Sequence, residues 1–297
     1  MSYDLKLSKR LQQINDLAVP SFQADNTSYD HIWDCCCDHG LLGFSLLSYT
    51  TSQSSISKVH FVDIVPELMQ KIEVKLHRFY ANSDDKNSKD NQQWQVHCLD
   101  VAKLPLNNYA GKHLVIIAGI GGDLMIKFIE EINQQYKHLT IDYLLCPVHH
   151  QYALREKLIA LDFSLKDEVL VEDNQRFYEI LLLSSLSPAS ISTTAQTSNS
   201  IEGKVCAVGD KIWRFESNEQ ADITKRYLTK TLNHYLRMQQ GLQKREQESL
   251  SKRTTSKETV FEKTLEKSVL EKEMAETTKN NLRDVQRIIS DYRTVKL

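Results

Sequence analysis

The sequence predicts an α/β chain in two parts. Residues 1–217 should form a seven-stranded, mostly parallel sheet covered by helices, and residues 218–297 an antiparallel coiled-coil hairpin of two helices. Three observations predict it. Short apolar runs alternate with segments of helical period from His31 to Leu161, the pattern of strand–helix units whose strands are buried on both faces. The last two strand-like runs are joined by a short polar turn, which makes an antiparallel edge. The charge is also divided: residues 218–297 carry 17 Lys and Arg against 12 Asp and Glu, net +5, so that the −2 of the whole chain leaves −7 for the first part.

Each element has its own signal. Leu7, Leu11, Ile14 and Leu17 repeat at helical spacing, with Ser8 near the N-cap and Pro20 just beyond the end. Strands are expected at His31–Cys37, Val59–Val62, Gln95–Cys98, Leu114–Ala118 and Tyr143–Cys146. Helices are expected between them at Leu41–Leu47, Pro66–Tyr80 and Leu124–Ile132, with another at Tyr152–Leu161. Pro66 suits the first turn of its helix, where a missing N–H has no partner to lose. Phe163–Val171 and Phe177–Leu183 form the closing pair of strands around Glu172–Gln175. Asn82–Asn91 and Ser184–Ser200 read as polar loops, and Val205–Phe215 as an extra ribbon. In the second part Leu228, Leu232, Tyr235 and Leu242 share a helical face. So do Phe261, Leu265 and Val269, then Leu282, Val285, Ile289 and Tyr292, with the polar segment Ser249–Lys257 between the two runs.

Composition narrows the class. At 41% hydrophobic and 26% charged residues the chain is of ordinary globular type. Its longest apolar stretch, Leu114–Gly122, falls well short of the roughly 20 residues a membrane helix needs, and MSYDLKLSKR has no apolar core of a secretory signal. Six cysteines show neither a paired CxxC nor a zinc-ligand spacing, which fits reduced thiols in the cytoplasm and no metal site.

The chemistry is expected beyond the carboxyl ends of the strands, where an open parallel sheet binds its ligands. Asp38 follows the first strand, Asp63 the second and Asp100 the third. A carboxylate after the second strand suits the two hydroxyls of a ribose, and one after the third suits an adenine amino group. Either these acids hold a nucleoside cofactor or they are ordinary turn and cap residues. The turn Cys35-Cys36-Cys37-Asp38-His39-Gly40 lacks the Gly-x-Gly-x-x-Gly of dinucleotide sites. Small side chains such as Cys36 still admit a ligand, so a cofactor without phosphates, S-adenosylmethionine, fits better than NAD or FAD. Gly119-Ile120-Gly121-Gly122 is either a turn needing positive φ or backbone that approaches the transfer centre. The pair His149-His150 reads as structural or as facing the crevice, with nothing nearby to complete a metal set.

These motifs resemble a known family. Leu7-Ser8-Lys9-Arg10-Leu11, Asp34 through Leu42, Ile117 through Gly122 and Asp167 through Asp173 stand in the order and spacing of TrmK. The TrmK family comprises bacterial tRNA methyltransferases that methylate N1 of adenine 22 in tRNA with S-adenosylmethionine. The resemblance implies a class I methyltransferase fold, Rossmann-like, followed by a coiled coil. It implies Asp34, His39, Asp63 and Asp100 at the cofactor, where Cys36, Ile64, Val101 and Gly119 are expected beside them; Gly121, Gly122, Pro147 and His149 are expected at the tRNA, with Lys9 and Arg10 supplying positive charge that the acidic first part otherwise lacks. Asp38 is then the catalytic candidate, accepting a hydrogen bond or a proton from the adenine amino group; its other reading is a second cofactor contact. The chain departs from the family at Cys36, where Gly is usual, at Leu41, where Tyr is usual, and at Cys146-Pro147-Val148, where Gln-Pro-Asn is frequent. Action on another RNA base or a protein, or an RNA-binding module without catalysis, are the competing functions.

Overall fold

The computed structural model describes residues 6–19, 29–52, 58–80, 93–186, 203–255 and 265–297. The expected loop over 82–91 and most of that over 184–200 lie outside these residues, as do Pro20 and Phe261. The chain divides into two compact units, Met1–Ile212 and Trp213–Leu297.

The first unit is a seven-stranded mixed sheet. Its elements run α1 Lys9–Ala18, β1 His31–Cys35, α2 Leu41–Ser52, β2 Lys58–Asp63, α3 Pro66–Phe79, β3 Trp94–Cys98, β4 His113–Ala118, α4 Gly122–Gln135, β5 Ile141–Cys146, α5 Gln151–Ala160, β6 Ser164–Asp173 and β7 Arg176–Ser184. The spatial order is β3-β2-β1-β4-β5-β7-β6. The first five strands are parallel; β7 pairs antiparallel with β5, and β6 with β7. Chain order reverses between β1 and β4, so a crevice opens there. Successive residues of β1 serve opposite faces: Trp33 joins Val115, Ile117, Met125 and Ile129, while Ile32 joins Ile14, Phe61, Leu114 and Ile116.

Local chemistry accounts for the ends. Ser8 Oγ accepts the N–H of Leu11 and caps α1. β1 stops at Cys35, two residues short of the expected strand, because Cys36 turns into left-handed backbone at φ 55°. The β6–β7 turn narrows to Asn174 and Gln175, both left-handed, which matches the twist of the flanking strands. Two short turns of 3₁₀ helix, Val101–Lys103 and Leu106–Asn108, follow β3 with no signal in the sequence reading.

The expected ribbon over Val205–Phe215 does not form. Only Lys204 bridges to Ser164, and Lys211–Trp213 is a turn of 3₁₀ helix. Side chains hold this return instead. Glu168 Oε1 accepts the backbone N–H of Asp210 and of Lys211, each at 2.6 Å. Arg155, fully buried on α5, donates from Nε to Glu179 at 2.6 Å and from Nη1 to the Cys206 carbonyl at 3.1 Å. Its Nη2 stands 2.6 Å from Glu168 Oε2 as an ion pair without hydrogen-bond alignment. Burial pushes the Glu168 carboxyl up, yet the guanidinium and the two N–H donors bring it below its ordinary value.

A second polar cluster lies under the sheet among aromatic rings. His31 Nε2 bonds the Ala110 carbonyl, His31 Nδ1 meets His60 Nε2 at 3.1 Å, and His60 Nδ1 meets His97 Nε2 at 2.9 Å. Trp33 Nε1 donates to His113 Nδ1, whose Nε2 bonds the Tyr109 carbonyl. One tautomer satisfies every link: all four histidines neutral, each donating from Nε2.

The second unit holds two long helices, α6 Asn218–Thr255 and α7 Leu265–Arg293. They pack on each other, with Trp213 stacked on Tyr227 and Tyr235 on Tyr292. Leu282, Val285, Ile289 and Tyr292 are buried as their spacing requires. On α6, however, the buried positions are Thr224 and Tyr227, while Leu228, Leu232, Tyr235 and Leu242 are half-buried. The helix also continues through Ser249 to Thr255, where a break was expected.

Candidate functional site

A cleft of about 350 Å³ opens at the reversal point between β1 and β4. Arg10 and Leu11 of α1, residues 34–39 with Leu41 and Leu42, and Ala118, Gly119 and Ile120 line it. Six of the expected site residues therefore meet in one place: Arg10, Asp34, Cys36, Asp38, His39 and Gly119.

The turn after β1 forms the wall. Cys37 N–H donates to the Val62 carbonyl at 3.2 Å, and Gly40 N–H to the Cys37 carbonyl at 2.7 Å. Asp38, left-handed at φ 50°, donates its N–H to Asp63 Oδ2 at 3.2 Å. The other oxygen of Asp63 accepts Val65 N–H at 3.0 Å. Asp63 thus ties the ends of β1 and β2 and keeps a lone pair on each oxygen for a ligand. The Asp38 side chain is 73% exposed, and its contact with His39 Nε2, 3.8 Å long, is a loose surface pair.

Asp34 differs. Its carboxylate is buried and accepts Gly43 N–H at 2.8 Å, fixing the start of α2. Burial pushes it up to about 7, against the pull of that bond and helped by the charge of Asp63. Burial, then the charges of Asp63, Asp34 and Asp100, pushes the Cys36 thiol up to about 12. Burial raises Cys35 and Cys37 as well, so this trio consists of protonated thiols. Asp100 Oδ1 caps the 3₁₀ turn at Ala102 N. Asp63, Ile64, Asp100 and Val101 do not line the cleft: Ile64 is 66% exposed, whereas the Val101 side chain is buried in the core and leaves only backbone to a ligand.

The opposite wall is Ala118, Gly119 and Ile120, at the end of β4. Gly119 has φ 83°, and a Cβ there would stand 3.8 Å from the Arg10 guanidinium. That guanidinium lies 4.9 Å over the ring of Tyr178, and its charge draws the Cys146 thiol down against the burial that raises it. Lys9, the first residue of α1, is exposed. Gly121, Gly122, buried Pro147 and exposed His149 sit beside the cleft and do not line it. Val148 N–H donates to the Ile120 carbonyl and Gly122 N–H to the His149 carbonyl, so the two loops are stitched together. Sequence reasoning missed Tyr178, the seat of Arg10, since an aromatic in a strand reads as core. It also missed Asp123, whose Oδ2 lies 2.6 Å from His150 Nδ1.

The residues fit a nucleoside that carries no phosphate. Two acids, Asp34 and Asp38, and a single guanidinium, that of Arg10, line the cleft, and at Gly119 the backbone is bare, with φ 83° that disfavours any other residue. Among the described residues no group of three or more His, Cys, Asp or Glu could hold a metal ion. No described helix is long and apolar enough to cross a membrane.

Residues 101–268 match the family described as tRNA (adenine(22)-N(1))-methyltransferase, TrmK. The chain belongs to the TrmK family. Residues 7–181 also match the family described as a methyltransferase domain. No curated protein sequence matches the chain. Three solved structures share the TrmK fold over nearly the whole length. An uncharacterized protein from Listeria monocytogenes serotype 4b is 17% identical, with 97% of this chain and 99% of that one covered and a TM-score of 0.58. TrmK from B. subtilis, a tRNA methyltransferase, is 17% identical over 96% and 100%, TM-score 0.55. TrmK from M. capricolum, in complex with S-adenosyl-homocysteine, is 12% identical over 96% and 99%, TM-score 0.53. As a TrmK protein the chain is an S-adenosylmethionine-dependent methyltransferase of adenine N1 in tRNA.

Proposed function

We propose that this chain methylates N1 of adenine 22 in a cytoplasmic tRNA, with the cleft between β1 and β4 as its cofactor site. The observation that carries the reading is the convergence of Arg10, Asp34, Cys36, Asp38, His39 and Gly119 on that cleft. S-adenosylmethionine, when bound, supplies a methyl group already activated by a positive sulfur. Asp63 would take the ribose hydroxyls on its remaining lone pairs, Ile64 would pack against the adenine, and Asp100 with the backbone of Val101 would read the adenine edge. Asp34 acts at one remove, by holding α2 and the turn in place.

Transfer makes a bond between the methyl carbon and adenine N1, whose lone pair is the nucleophile. The carbon–sulfur bond would break with its electron pair going to sulfur, and the positive charge would pass to the adenine ring. Asp38 accepts a hydrogen bond from the exocyclic amino group, where that charge spreads, and stabilises it. Its exposure and its fixed left-handed backbone suit a residue waiting for substrate. Alignment supplies most of the rest. The base must leave its stack to arrive, at a cost of a few kcal/mol.

The acidic first unit needs help to hold RNA. Residues 223–245 of α6 contain six Lys and Arg and no Asp or Glu. Lys225, Arg226, Thr229, Lys230, Asn233 and Arg237 line a groove of about 520 Å³ along this face. A cationic stretch of helix without acids of its own suits the phosphate backbone, and we assign residues 223–245 and Lys9 to tRNA.

Incubation with S-adenosylmethionine and unmodified tRNA, followed by nucleoside mass spectrometry, tests the reading. It requires 1-methyladenosine, lost when adenine 22 is replaced by guanine. Product that survives this replacement would move the target base, and none at all from a cofactor-bound protein would overturn the reading.

A further inference from the structure

The sheet order leaves the incoming base one side on which to stand. The acids proposed for the cofactor sit at the ends of β1, β2 and β3; across the reversal point lie the ends of β4 and β5, with Gly119–Gly122 and Cys146–His150. There a chain of contacts holds one exposed ring. His150, the N-cap of α5, has left-handed backbone, φ 61° and ψ 37°, a region that few residues other than Gly enter and that His enters more readily than most. Its Nδ1 lies 2.6 Å from Asp123 Oδ2 in the first turn of α4. Its ring meets that of His149 edge to face, centroids 4.4 Å apart. The His149 ring in turn lies over Gly121, where a Cβ would fall 2.2 Å from Cε1. Val148 and Leu124, both partly exposed, border the same surface.

We propose that Asp123 and His150 are positioning residues that hold the His149 ring as the shelf on which the flipped adenine stacks. The proposal rests on the tRNA methyltransferase reading and deepens it. A flipped base is gripped by stacking on planar side chains, and an imidazole serves. A solvent-exposed ring needs an anchor to be a useful platform. Asp123 fixes the His150 ring, and His150 fixes His149 from the side while Gly121 leaves room beneath. Left-handed backbone at His150 is what turns it toward Asp123. That conformation has no role in the core, since residues 148–150 are all exposed.

The test reads tRNA affinity by filter binding, so it needs no turnover, alongside steady-state kinetics. Base stacking is worth about 1–3 kcal/mol, so His149→Ala should weaken tRNA binding and raise the KM for tRNA about 5- to 150-fold. His149→Phe, which keeps a planar ring, should stay within about 3-fold. Asp123→Ala should weaken binding nearly as much as His149→Ala, and the double variant no further, because the two act through one contact. Affinity for S-adenosylmethionine and the melting temperature should not move. Normal tRNA binding by His149→Ala, additive losses in the double variant, or failure of His149→Phe to restore binding would each overturn the shelf. A protein that binds tRNA with this pattern but forms no 1-methyladenosine would sink the enzymatic reading and leave the shelf standing.

Discussion

The backbone carbonyls of His149 and His150 stand 2.9 and 2.8 Å from the place a Cβ on Gly122 would occupy. Backbone cannot swing aside as a side chain can. Gly122→Ala should therefore pry the β4 and β5 loops apart and cost roughly 1–3 kcal/mol in urea unfolding, as overpacking does. Gly121→Ala meets only the His149 ring and should leave stability nearly unchanged. Equal losses from the two would contradict the distinction.

Asp38 and Asp63 share a hydrogen bond but have different proposed tasks. Asp38→Asn should keep S-adenosylmethionine affinity within a few fold while turnover falls by about 100-fold or more. Asp63→Ala should lose cofactor affinity first. Calorimetric titration beside single-turnover rates separates them; a large affinity loss in Asp38→Asn would make it a cofactor residue.

The histidine cluster makes the fold acid-sensitive. Burial holds His97 down at about 4 and His60 lower still, with His31 and His113 also depressed. The unfolded chain binds protons at these sites below about 6.5. The stability they give is therefore present above that pH and lost as pH falls toward 4, on the order of 3 kcal/mol for His97 alone. The melting temperature should drop steeply across this window, and His97→Gln should flatten the drop. A wild-type curve flat from pH 6.5 to 4 would refute neutral histidines.

Arg155 is the counter-charge for two buried carboxylates. Arg155→Ala should cost about 3–5 kcal/mol, visible as a large fall in the urea midpoint. A loss under 1 kcal/mol would mean that water reaches Glu168 and Glu179.

Cys36 holds left-handed backbone without being glycine. Cys36→Gly should change stability by less than about 1 kcal/mol, relieved strain offsetting lost packing and a freer unfolded chain. Cys36→Val should lower it by more, since a branched side chain is least tolerated there. Thermal melts of the pair decide this.

The sheet was legible because its signals are local. Five apolar strands, Ser8 at a helix start and acids at the ends of β1 to β3 can each be read within a few residues. What escaped depends on distance along the chain. Arg155 looks like any charged residue on an amphipathic helix until Glu168 and Glu179 are brought to it. His31, His60, His97 and His113 fall one to a strand and are a cluster only after the strands pair. The ribbon expected at Val205–Phe215 failed because Glu168 takes the N–H groups that a strand partner would have used. At the site, strand-end acids and glycines could be placed by position, whereas the seat of Arg10 on Tyr178 and the link from Asp123 to His150 join distant segments.

The grip of Glu168 on residues 210 and 211 has a bearing on solubility. β6 closes one side of the sheet, and an uncovered outer strand is a template on which another copy can add. The chain drawn back along β6 by Glu168, Arg155 and the Lys204 bridge occupies part of that template. Loosening the clamp would therefore favour self-association of the folded molecule before it favoured unfolding.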